Sequence, residues 1–66
     1  MKVRYIGKTN SATFTNGKEY EVLSVEHDWL RIVDETEEDY LYPPTKFEII
    51  EDENGEIAKA MENMKV

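Results

Sequence analysis

The apolar positions fall into five short runs separated by polar turns, and their spacing predicts strands through residue 51. Lys2-Val3-Arg4-Tyr5-Ile6-Gly7 alternates polar and apolar residues up to Tyr5-Ile6 and stops at a glycine, which reads as a first strand. Residues 8–17 are small and polar apart from Phe14 and finish in Asn16-Gly17, so they read as a long loop held by one apolar anchor. In the second run, Lys18 to Glu26, Tyr20 and Val22 share one parity while Leu23 and Val25 share the other. The apolar face therefore switches at Val22-Leu23, where a bulge or sharp coil would let one strand serve two sheets.

His27-Asp28 is a short connection to a third strand, Trp29–Val33, with Leu30 and Ile32 on one face and Trp29, Arg31 and Val33 on the other. Tyr40-Leu41-Tyr42 is a fourth strand, stopped by Pro43-Pro44 because proline cannot donate to a ladder. Thr45-Lys46 leave room for one tight helical turn before a fifth strand, Phe47–Glu51. The expected core is Val3 or Ile6, with Val22, Leu23, Val25, Leu30, Ile32, Leu41, Phe47 and Ile49. Beyond Glu51, an acidic turn, Asp52-Glu53-Asn54-Gly55-Glu56, precedes Ile57, Met61 and Met64 at i, i+4 and i+7. That spacing predicts a short amphipathic helix docked on the strands or on a second subunit, with a frayed tail as the alternative. The expected organisation is one β-domain over residues 1–51 and an appendage over 52–66.

With 66 residues the chain is one small domain, too small to build a deep catalytic cleft beside its core. The absence of cysteine excludes disulfides, thiol nucleophiles and thiolate metal sites. The opening Met1-Lys2-Val3-Arg4-Tyr5 lacks a signal-peptide core and no apolar run is long enough to span a bilayer, so the expected location is the cytoplasm. Fifteen acidic against eight basic residues give a net charge of −7, which disfavours nucleic-acid binding through Lys2, Arg4, Lys8 and Lys18.

Trp29-Leu30, the acidic hairpin tip and Tyr42-Pro43-Pro44-Thr45-Lys46-Phe47, in an order of five strands with a long first loop, resemble an SH3-like barrel. The layout of residues 1–51 is similar to small uncharacterised SH3-like proteins of Gram-positive bacteria and their phages, a resemblance that implies a fold and no activity. In peptide-binding SH3 domains a tryptophan opens the third strand and a Tyr-x-Pro-x-x-Tyr segment gives aromatic walls for a proline-rich ligand, positions to which Trp29, Tyr42 and Pro44 are similar. Phe47 replaces the last tyrosine and loses its hydroxyl, and Lys8-Thr9-Asn10-Ser11 stand where peptide binders carry aromatics and acids.

Catalysis would have to use His27 with Asp28 and Ser24, a set better explained as an exposed turn, so an enzyme is not expected. No cofactor is implied. Asp34, Glu35, Glu37, Glu38 and Asp39 lack the Asp-x-Asp-x-Asp-Gly spacing that fixes a cation, and read as a solvated hairpin tip. Seven aromatic rings exceed what so small a core can hide, which leaves some at the surface. If Leu41 points inward, Tyr40 and Tyr42 share the outer face, where Trp29 and Pro44 would complete a binding patch; the reverse parity puts both tyrosines inside. The expected function is a non-enzymatic protein- or peptide-binding module whose surrounding acids favour a basic partner. The alternative is an acidic inhibitor or decoy presenting Asp34–Asp39 and residues 51–56 to a nucleic-acid-binding protein. A weak homodimer through Ile57, Met61 and Met64 is compatible with either.

Overall fold

The computed structural model describes residues 1–64. Five antiparallel strands, β1 (Lys2–Tyr5), β2 (Glu19–Glu26), β3 (Trp29–Val33), β4 (Asp39–Tyr42) and β5 (Phe47–Glu51), form one sheet in the order β4-β3-β2-β1-β5. A single 3₁₀ turn, Pro44–Lys46, links β4 to β5, and one helix, α1 (Glu56–Asn63), follows. β2 holds the sheet together by splitting its partners: Glu19, Tyr20 and Glu21 pair with β1, whereas Val22 and Ser24 to Glu26 pair with β3. The register shifts between Val22 and Ser24, at the position where the apolar parity switches in the sequence.

The connections follow from residue chemistry. His27 and Asp28 form a two-residue hairpin loop with φ of 52° and 65°, the left-handed pair that a type I′ turn requires. In the β1–β2 loop, Asn10 bridges Phe14, its carbonyl accepts the amides of Thr13 and Phe14, and its side chain accepts that of Ala12. Gly7 is fixed by contact, since a Cβ there would lie 2.6 Å from the Tyr5 hydroxyl oxygen.

The strands are not closed into a barrel. β4 and β5 are the two edges of the sheet, and the Pro43-Pro44 segment between them offers no backbone donor with which to join them. Val3, Phe14, Tyr20, Val22, Leu30, Ile32 and Phe47 are buried in one cluster, with Ile57 and Ala60 of α1 among them. The helix is thus part of the core and not an appendage to residues 1–51. Ile57 is fully buried and cannot contribute to an intersubunit seam.

Ile6, Leu23 and Leu41, expected inside, are 52%, 53% and 38% exposed. Leu23 sits on the register shift, Ile6 lies past the end of β1, and Leu41 pairs with Arg31 on the outer side of the sheet. Val25 and Ile49 are partly buried against the core. Helix α1 is anchored at both ends. Asp52 accepts the amides of Ile57 (3.2 Å) and Ala58 (2.9 Å), two of the donors left unpaired at a helix start, and Asn63 Nδ2 donates to Asp28 Oδ1 at 3.1 Å.

Candidate functional site

Phe14 reaches back from the long loop into the middle of an aromatic cluster. Its ring stacks on Tyr5 at 5.0 Å and meets Tyr20, Tyr42 and Phe47 edge-on at 4.9, 4.8 and 5.1 Å, the offset and T-shaped arrangements that ring quadrupoles favour. Phe14 and Phe47 are buried, while Tyr5, Tyr42, Pro43 and Thr13 are half-buried around them. Together with Lys46 they line a recess of roughly 190 Å³ between the β1–β2 loop and the 3₁₀ turn. A second recess of roughly 270 Å³ lies between the same turn and α1, lined by Pro44, Thr45, Phe47, Met61 and Met64. Both fall short of the ~300–1,000 Å³ usual for a small-molecule or cofactor site, and each suits a single side chain of a larger ligand.

The cluster's hydroxyls are engaged from behind. Tyr5 donates to the Lys8 carbonyl (2.8 Å), Tyr20 to Glu35 (2.8 Å) and Tyr42 to Asp34 (2.5 Å). Burial, and then the bond to the Asp34 carboxylate, raises the Tyr42 hydroxyl well above the ordinary tyrosine range. For Asp34, burial pushes the carboxyl up, but donors from Thr36, Tyr42 and the backbone outweigh it and leave the group below its usual value. The exposed rims of Tyr5 and Tyr42 are therefore ring edges and faces, with no free hydroxyl to offer.

The acidic run turns out to be partly structural. Glu35 accepts from Lys18 Nζ (2.8 Å), Thr15 Oγ1 (2.9 Å) and Tyr20, and its amide donates to the Thr13 carbonyl (3.0 Å). The hydrogen bond from Lys18, followed by those from Tyr20 and Thr15, lowers the Glu35 carboxyl. This one residue ties the β3–β4 hairpin to the long loop and so fixes the Phe14 side of the recess. Asp34 is buried, Asp39 is paired with Arg31 (3.2 Å), Glu38 accepts from Tyr40, and Glu37 is exposed at φ 66° in the turn. The five acids do not form a single free negative plane.

Nor do Trp29, Tyr40, Tyr42 and Pro44 form one patch. Tyr40 and Tyr42 pair with Ile32 and Leu30, both fully buried, so they share the core side of the sheet. Trp29 alternates with Leu30 and lies on the opposite face with Arg31 and Leu41. Pro44 is buried and faces the second recess, and Tyr40 stays half-exposed at the edge. Leu41 thus points outward, the reverse of the parity that the patch required. Of the four, only Tyr42 lines the aromatic recess; Tyr5, Phe14 and Phe47 supply the other rings. The signal for Phe47 and Phe14 lay in the Tyr-Pro-Pro-x-x-Phe segment and the lone apolar residue of the loop, whereas Tyr5 carried none beyond its place in the first strand.

On the outer face, Arg31 is clamped by Glu26 (2.7 Å) and Asp39. The hydrogen bonds from Arg31 and then Ser24 bring the Glu26 carboxyl down to about 2. Ser24 is bound to Glu26 and Asp28 to Asn63, so neither is directed at His27, which is exposed in the turn. Among the described residues no three His, Asp or Glu side chains converge to hold a metal ion, and no helix is long and apolar enough to cross a membrane. Comparison with family models, with curated proteins and with solved structures returned no match to this chain.

Proposed function

We propose that the protein is a non-enzymatic SH3-like interaction module that binds an extended peptide segment of a protein partner in the Tyr5–Phe14–Tyr42–Phe47 recess. The strand order, the β2 strand shared between two sets of partners and the prolyl 3₁₀ turn joining the two edges support the SH3-like assignment. The observation that carries the binding reading is the recess itself, an apolar hollow floored by two buried rings and walled by half-buried Tyr5, Tyr42 and Pro43. Apolar walls already held by hydrogen bonds need little reordering to receive a side chain, which lowers the entropy cost of binding.

Selection of peptides from a random display library against the intact protein, followed by ¹⁵N–¹H titration with a recovered peptide, tests this. Peptides sharing one apolar residue are expected to shift the amides of Tyr5, Thr13, Tyr42 and Lys46. Thr13→Trp, which fills the mouth of the recess from its half-buried wall, is expected to remove the binding with the circular dichroism spectrum unchanged. Shifts concentrated on Trp29, Arg31 and Leu41 instead would place the site on the opposite face and refute the proposal.

A further inference from the structure

Although the chain carries −7, the aromatic recess is lined by one cation, Lys46, and by no carboxylate. From this local reversal of sign we infer the chemistry of the ligand: an extended acidic segment that seats one apolar side chain in the recess and lays a carboxylate on Lys46. The inference rests on the peptide-binding reading and sharpens it.

Lys46 ends the 3₁₀ turn, and its carbonyl accepts the Ile6 amide at 2.9 Å, so its backbone is held while its side chain is exposed. Among the described residues its ammonium has no ion-pair partner. Neither of the two carboxylates bound to the cluster's hydroxyls opens into the recess. Asp34 is buried and bound by Tyr42 and Thr36, and Glu35 is bound by Lys18, Thr15 and Tyr20. Among the described residues Lys46 is thus the one charged side chain lining the recess and has no ion-pair partner, so the recess favours an anion beside its apolar contact. No carboxylate lines the recess, and charges more than ~8 Å away are screened at physiological salt, so the short-range pair at Lys46 decides once a peptide is seated.

Three labelled peptides in one frame, Ser-Gly-x-Pro-Leu-x-Gly-Ser with x as Glu, Gln or Lys, separate the inference from the reading beneath it. Fluorescence polarisation gives their affinities for the wild type and for Lys46→Gln, with amide shifts at Thr13 and Tyr42 as the check of place. The Glu peptide is expected to bind the wild type about three- to tenfold more tightly than the Gln peptide, and the Lys peptide most weakly. Lys46→Gln is expected to make the affinities of the Glu and Gln peptides equal. Tightest binding by the Lys peptide, or an acid preference that survives in Lys46→Gln, overturns the inference and leaves the recess a peptide site. If no peptide shifts Thr13 or Tyr42, the recess reading fails and the inference with it. Displacement of the Glu peptide by an equal concentration of oligo(dT) also overturns it, assigning the recess to a single-stranded nucleic acid.

Discussion

Replacing Ile57 by alanine tests whether α1 is part of the fold or an attachment to it. The side chain is fully buried among strand residues, and the substitution deletes three carbons from it. At about 0.8 kcal/mol per buried methylene plus a cavity contribution, the expected loss is about 3 kcal/mol. A domain of this length is stable by roughly 3–10 kcal/mol, so one residue outside the strands carries a third or more of the total. The melting temperature is expected to fall by roughly 12–24 °C. Urea unfolding followed by far-ultraviolet circular dichroism measures the loss, with Lys59→Ala on the exposed side of the helix as a control that changes stability by no more than about 0.5 kcal/mol. An Ile57→Ala loss below about 1 kcal/mol would refute the reasoning, because a truly buried isoleucine cannot lose its contacts so cheaply. Truncation after Glu51 with an unchanged unfolding midpoint would refute it more directly.

Three further outcomes follow from the geometry. The Glu26 carboxyl is held at about 2 against an ordinary 4.5, so its contribution to stability is present above pH 4.5 and is lost as pH falls toward 2. Glu26→Gln should therefore be less stable than the wild type at pH 6 and converge with it near pH 2 in urea titrations; a constant offset across that range would contradict the pairing. The left-handed His27-Asp28 turn is costly for side-chain-bearing residues, so His27→Asn with Asp28→Gly should raise stability by about 1 kcal/mol despite losing the Asn63 contact. Thermal unfolding checks this, and a loss of stability would show that the Asp28–Asn63 link matters more than the backbone. Trp29→Ala should leave peptide affinity at the aromatic recess within about twofold, since the two lie on opposite faces of the sheet; a tenfold loss in the same polarisation assay would place Trp29 in the site.

The strands, the turn at His27-Asp28, the break at Pro43 and the shift at Val22-Leu23 were all legible in the sequence, because each rests on local chemistry: alternation, loop length, a missing donor and a change of parity. What was not legible depended on partners far along the chain. Tyr40-Leu41-Tyr42 permits either orientation. The choice goes to the tyrosines facing inward because Phe14 supplies an edge for Tyr42 and Asp34 an acceptor, and neither residue is near Tyr42 in sequence apart from the hairpin itself. Glu35 shows the same limit. Five acids in six positions look like a solvated tip, yet Lys18, Thr15 and Tyr20 converge on one of them only after the loop has folded back. Ile57, Met61 and Met64 gave the helix its apolar stripe but could not say that Ile57 would enter the core.

The two unpaired edges of the sheet also govern how copies of the protein meet one another. β4 and β5 each leave one side without a strand partner, and the two edges differ in sequence. Pairing of β4 in one molecule with β5 in the next would be head-to-tail, and such contacts run on into filaments unless their rotation happens to close a ring. Glu51 on the β5 edge, with Asp39 and Glu48 held by Arg31 and Arg4, puts carboxylates on both edges against that polymerisation. The chain's excess of carboxylates thus bears on the colloid as well as on the fold, and acid or a polycation that neutralised them would lower the barrier to edge-to-edge association.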